Sequence, residues 1–127
     1  MKRLSLFFLL VLPLWSVDWL HSWEAAFEKS YESNRPVLVV LMRQDCPYCQ
    51  KLSSQTLSST AIAEAIKAGF VPLYLDTDRH AEAIARSGLR AQGVPASFVV
   101  APSGHVKGYL MGYQPPMVYM GFLQQNR

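Results

Sequence analysis

Apolar positions change their period several times along this chain, and each change marks an element. Trp19, Trp23, Phe27 and Tyr31 recur every fourth residue, one apolar stripe on a helix that Asn34 and Pro36 stop. Val37 to Met42 is instead a continuous apolar run rich in valine, the pattern of a strand covered on both faces. From Pro47 the spacing turns helical again through Tyr48, Leu52 and, less clearly, Leu57. A second helical piece, "SSTAIAEAIKAG", takes Ser59 or Thr60 as its N-cap and Gly69 as its stop. Phe70 to Asp76 predicts a strand, and "TDRHAEAIARSG" a helix capped by Thr77 or Asp78 and closed by Gly88. "ASFVVA" and "VKGYLMG" flank Pro102, Ser103 and Gly104, which reads as a hairpin. "PPMVYMGFLQQ" opens a last helix, where proline is tolerated in the first turn. The order α-β-α-α-β-α-β-β-α predicts an α/β fold. Its central mixed sheet is mostly parallel, ends in an antiparallel hairpin and carries helices on both faces.

The first residues do not belong to this pattern. "MKRLSLFFLLVLPLWS" has a basic start and then an apolar run from Leu4 to Leu14, the length of a signal-peptide h-region and short for a bilayer span. Residues 1–16 are therefore expected to be a signal peptide, with an uncleaved membrane anchor as the alternative, and 17–127 a single domain. Export to an oxidising compartment, the periplasm, is the expectation. Composition changes the picture little: half the chain is apolar, enough for a core without cross-links. Setting Lys2 and Arg3 aside leaves ten basic residues against nine acidic ones, so the net charge of +3 belongs largely to the leader. No nucleic-acid partner is expected, and Arg79, Arg86 and Arg90 read as a solvated helix face.

Candidate chemistry sits in "RQDCPYCQKL", which holds both cysteines, Cys46 and Cys49. As a structural staple the pair would close a ring of four residues and stabilise by only about 2 kcal/mol. As a metal site it supplies two of the four ligands a structural zinc needs, and His21, His80 and His105 stand singly in three different segments. The reactive reading fits the placement better. A strand that opens into a helix puts Cys46 at the helix N-terminus, where unpaired N–H groups and the helix dipole favour a thiolate. Pro47 suits the first helical position, and Cys49, one turn in, can attack a mixed disulfide formed at Cys46. Far along the chain, "GVPASFVV" places Pro95 at the mouth of a strand. A trans proline would weaken pairing there, whereas a cis Val94–Pro95 bond makes a tight turn and leaves backbone free to meet an extended substrate.

The strand–CPYC–helix unit, the later "GVP" before a hairpin and "MGY" ahead of the final helix resemble the thioredoxin fold, from about Trp19 to Gln125. The leading "WEAAFEKSYESNRPVLVVL" resembles the exported thioredoxin-related proteins more than cytosolic thioredoxin. The resemblance implies Cys46 as nucleophile and Cys49 as resolving cysteine. It implies Pro95 as the cis-proline of a substrate groove shared with Val94, Pro47 and Tyr48, and Tyr48 as a position that tunes the redox potential. Two positions depart from thioredoxin proper. Asp45 stands where that family has a tryptophan, and it should oppose thiolate formation at Cys46. The strand before the cysteines holds only valines, leucines and methionine where the family buries an acid, so the usual proton acceptor for Cys49 is missing. "CPYC" is also the glutaredoxin signature, but a helix precedes the first central strand and "SFVVAPSGHVKGY" has no Gly-Gly pair.

The function expected is thiol–disulfide exchange with exported protein substrates, as a reductase fed by a membrane electron donor. A disulfide-forming oxidant or an isomerase is the alternative, and a non-catalytic binding or chaperone module is the reading of another class. No cofactor is expected beyond the redox-active pair, and the chain is expected to act as a monomer.

Overall fold

The structure is a computed structural model in which residues 17–127 are described, so the expected signal segment 1–16 lies outside it. The elements are α1 (Trp23–Ser33), β1 (Val37–Met42), α2 (Pro47–Lys51) running into a π-helical stretch (Leu52–Leu57), α3 (Thr60–Gly69), β2 (Val71–Asp76), α4 (Ala81–Ser87), β3 (Ala96–Val100), β4 (Val106–Met111) and α5 (Pro116–Gln125). The sheet order is β2-β1-β3-β4.

β1 is central, and all six of its residues are buried. Its pleat sends Val37, Val39 and Leu41 to one face, against Ala26 of α1 and the flank of α4. Leu38, Val40 and Met42 go to the other, against Leu52 of the π-helical stretch, Ile62 and Ile66 of α3, and Tyr119 and Leu123 of α5. A continuous apolar strand is what two covered faces require. Each large aliphatic buried there contributes about 1.5–3 kcal/mol of transfer free energy. The second layer is also pinned by a polar contact, Ser97 Oγ to Tyr119 Oη at 2.8 Å, wholly inside the core.

The mixed sheet with a C-terminal antiparallel hairpin is present, but it is not mostly parallel. β1 pairs parallel with β2, while β1–β3 and β3–β4 are antiparallel. The reason is the path of the connection, whose one helix is short. A parallel crossover must return along the whole strand, about 20 Å for the six residues of β2. α4 has seven residues and spans about 10 Å. Gly88, in the left-handed region with φ 77°, then turns the chain back, and β3 begins beside Leu41 at the end of the sheet where β1 finished.

Two further expectations shift. The four-residue stripe does not lie on one helix. Ser22 caps α1, its hydroxyl accepting from the Ala25 N–H at 3.2 Å, and residues before it are extended. Leu20 bridges to Leu73 on the outer side of β2, donating to the Pro72 carbonyl at 2.9 Å and accepting from the Tyr74 N–H at 2.8 Å. Trp19 thereby joins the α2–α3–α5 layer, Trp23 and Phe27 stack in the other layer, and Tyr31 is exposed. Similarly, the cap of α4 is not Thr77 or Asp78. The Asp76 carboxylate accepts from the Asp78 and Arg79 N–H groups, shaping a turn that delays the helix to Ala81. The weak spacing after Leu52 has its own cause: Leu52 and Leu57, five apart, are both buried because the helix widens to the π repeat there.

Candidate functional site

β1 ends at Met42, and four residues carry the chain to the start of α2. Asp45 makes the reversal with φ 59°, a left-handed conformation that aspartate tolerates better than most residues. Cys46 is the N-cap, extended at φ −114° and ψ 104°, and Pro47 occupies the first turn. Cys46 Sγ accepts the Cys49 N–H at 3.2 Å, so a backbone donor points at this sulfur. Cys46 and Cys49 form a disulfide, with their Cα atoms 5.2 Å apart. The two are 5% and 3% exposed, so position rather than exposure distinguishes them. Tyr48 projects outward and is 65% exposed.

Across the site, Val94–Pro95 is a cis peptide. The Val94 carbonyl oxygen lies 3.9 Å from Cys46 Sγ, and Pro95 is buried, its own carbonyl accepting from the Gly112 N–H at 2.8 Å. The structure therefore brings together Cys46, Cys49, Val94 and Pro95 from two distant segments, with Pro47 and Tyr48 on the helix beside them. Tyr113, of the "MGY" stretch, supports α2 from below. Its hydroxyl donates to Gln55 Oε1 at 3.2 Å, and Lys51 Nζ sits 4.3 Å over its ring. Thr56 in the π-helical stretch donates to the Gln114 carbonyl at 2.6 Å.

Two concavities flank the disulfide. One, of about 510 Å³, reaches buried Cys49 and is bordered by Arg43, Gln44, Asp45, Gln50, Ser53 and Tyr74. The other, of about 520 Å³, lies beside Val94, with an apolar floor and the side chains of Arg43 and Arg90. Tyr74 and Arg90 were not legible as site residues. Tyr74 sits mid-strand opposite Val40, where its phenol is pushed up by burial and by the charge of Asp76. Arg90 follows Gly88, beyond α4, so it lines the groove instead of joining a solvated helix face. No acid replaces the expected buried one within β1. His21 and His80, far apart in sequence, border one cavity with Tyr74 and Asp76. His80 Nδ1 accepts from the Asp76 N–H at 2.9 Å, and among the described residues no group of three His, Cys, Asp or Glu is placed to hold a metal.

The sequence model described as Thioredoxin-like matches residues 18–102. Anterior gradient protein 3 of Mus musculus is 26% identical over 103 residues, covering 81% of this chain. The match takes in 61% of the mouse protein, so the chain spans less than two thirds of that relative. A thioredoxin from Thermus thermophilus superposes with TM-score 0.71 at 24% identity, over 83% of each chain, a likeness of fold. A disulphide isomerase from Xylella fastidiosa superposes with TM-score 0.62 at 25% identity, over 77% of this chain and 79% of its own.

Proposed function

Because the chain belongs to the thioredoxin-like family and holds a C-x-x-C disulfide at a helix N-terminus, we propose that it is a thiol–disulfide oxidoreductase working as a reductase of exported protein disulfides. The observation that carries the chemistry is the contact between the Cys49 N–H and Cys46 Sγ. The same donor faces the sulfur when it is a thiolate, and stabilising that anion makes it the attacking species.

The cycle runs as follows. The Cys46 thiolate attacks one sulfur of a substrate disulfide, and the other leaves as a thiolate that takes a proton from solvent. Cys49 then gives up its proton and attacks Cys46 Sγ. This breaks the mixed disulfide, releases the second substrate thiol and forms the Cys46–Cys49 bond. Two electrons pass from protein to substrate, and an external dithiol, carried by a membrane donor, must return them. The Val94 carbonyl and Pro95 form the wall along which the substrate backbone is laid.

Charge supports the reductive direction. Strong disulfide oxidants owe their potential to a stabilised reduced form. Asp45 puts a carboxylate next to Cys46 and works against the thiolate, which favours a reducing couple. The described chain also passes from β1 to β4 without an inserted domain. The reading of export, to the periplasm, rests on residues 1–16, whose basic start and short apolar run suit a signal peptide or anchor. The likeness to the Xylella isomerase favours reshuffling of disulfides as the second reading.

Equilibration of the Cys46–Cys49 pair against a glutathione buffer is the test. A potential near about −270 mV is expected for the reductase, and one near about −120 mV would make the protein an oxidant. Activity on scrambled disulfides without an added reductant would favour the isomerase. Insulin reduction by dithiothreitol, lost in Cys46→Ser, separates every catalytic reading from a binding module, which has no activity to lose.

A further inference from the structure

We infer that the groove beside Val94 selects disulfides flanked by acidic residues, and that Arg43 and Arg90 are its specificity-determining residues. The inference rests on the oxidoreductase reading and names the substrate class of that same site.

A peptide whose sulfur reaches Cys46 Sγ has to pass the Val94 carbonyl, 3.9 Å away, and Val94 is also a wall of the groove. The next residues of that peptide therefore enter the groove. Leu41, Ile84 and Leu89 give it an apolar floor, and its only charged lining residues, among those described, are the two arginines. They reach it from different parts of the chain, Arg43 from the residue after β1 and Arg90 from the loop after α4. No carboxylate lines it; Asp45 borders the other concavity, next to Cys49, and Arg43 stands between the two, lining both. A lysine-flanked substrate would find like charge here and nothing to pair with. An acidic one finds two guanidinium forks suited to carboxylates, above a floor that takes an apolar neighbour. Charges at the rim of a site act on encounter and selection, and salt screens them.

The test uses the full chain with dithiothreitol as reductant and two synthetic disulfide peptides. They differ only in having two glutamates or two lysines beside the cysteine. At low ionic strength the glutamate peptide should be reduced with a kcat/KM about three- to tenfold higher, a ratio that shrinks as salt is added. The double variant Arg43→Gln/Arg90→Gln should bring the ratio to about one, and Arg43→Glu/Arg90→Glu should invert it. Equal rates for the two peptides with the unaltered chain would overturn the inference while leaving the reductase standing. A preference that survives both double variants would overturn it too. Failure to accelerate either peptide over dithiothreitol alone would instead overturn the reading on which it rests.

Discussion

At the scale of single residues, Asp45 is the position whose effect on the chemistry is easiest to isolate. It is exposed, it turns the backbone at φ 59°, and it is bonded directly to Cys46, the proposed nucleophile. Asn tolerates the same left-handed conformation, so Asp45→Asn removes charge and keeps shape. Removing the charge should move the thiolate titration of Cys46 to lower pH and give about two- to fourfold more thiolate at neutral pH, read by the ultraviolet absorbance of the thiolate. The reduction potential should become less negative in the same variant. An unchanged titration would mean that solvent screens Asp45 fully. Cys49→Ser probes the other half of the exchange. It should leave the first attack intact and accumulate a covalent adduct with substrate, visible by mass. The placement of Cys46 and Cys49 at a helix start was legible in "DCPYC" because the spacing and the helix start lie within one short segment. Tyr74 and Arg90 were not, because each reaches the site only through strand register or a loop path.

At the scale of elements, the joints carry more information than the elements they connect. Asp76 ends β2 and shapes the turn into α4 by accepting two backbone N–H groups, at 2.9 and 3.0 Å. Those bonds, led by the one from Arg79, hold its carboxyl below the usual carboxylate range. A depressed folded value means the stabilisation is complete above the unfolded value, about 3.9, and fades as pH falls through the folded one. Asp76→Ala should therefore cost about 1–2 kcal/mol in urea unfolding at neutral pH, with a smaller difference from the parent in strong acid. A difference independent of pH would exclude this origin. The β3–α5 joint behaves differently. Burial pushes the Tyr119 phenol far up, with the Ser97 contact working weakly against the shift, so it stays neutral at every working pH. Tyr119→Phe should strand the Ser97 hydroxyl and cost about 1 kcal/mol, and adding Ser97→Ala should recover part of that loss. β1 was legible because two covered faces leave an unbroken apolar run. The start of α1 was not: a four-residue period from Trp19 to Tyr31 looks the same whether Trp19 is helical or extended. Only the Leu20 pairing with β2 decides it.

At the scale of the whole molecule, the cross-link of the redox pair adds little to the stability that the core supplies. Cys46 and Cys49 are buried among the residues that cover one face of β1, but the bond between them closes a ring with a sequence separation of only three. Oxidised and reduced protein should then differ in unfolding free energy by only about 2 kcal/mol, and the reduced form should keep its circular dichroism. Collapse on reduction would make the bridge a structural one. The topology was legible as an element order and an antiparallel hairpin but not as the direction of β3 against β1, since nothing in the residues from Thr77 to Pro95 announces that the connection stops short of a full crossover. That same topology leaves β4 outermost, with Val106 and Tyr109 partly exposed along it. An open row of N–H and C=O groups of this kind invites a second molecule to add its own strand. Two features work against it: the pairing with β3 slips between Val99 and Val100, and the Lys107 ammonium is held by the Arg127 carbonyl at the rim. A bulge and a lysine are common defences of such a border, and they guard the colloidal behaviour of the protein at high concentration.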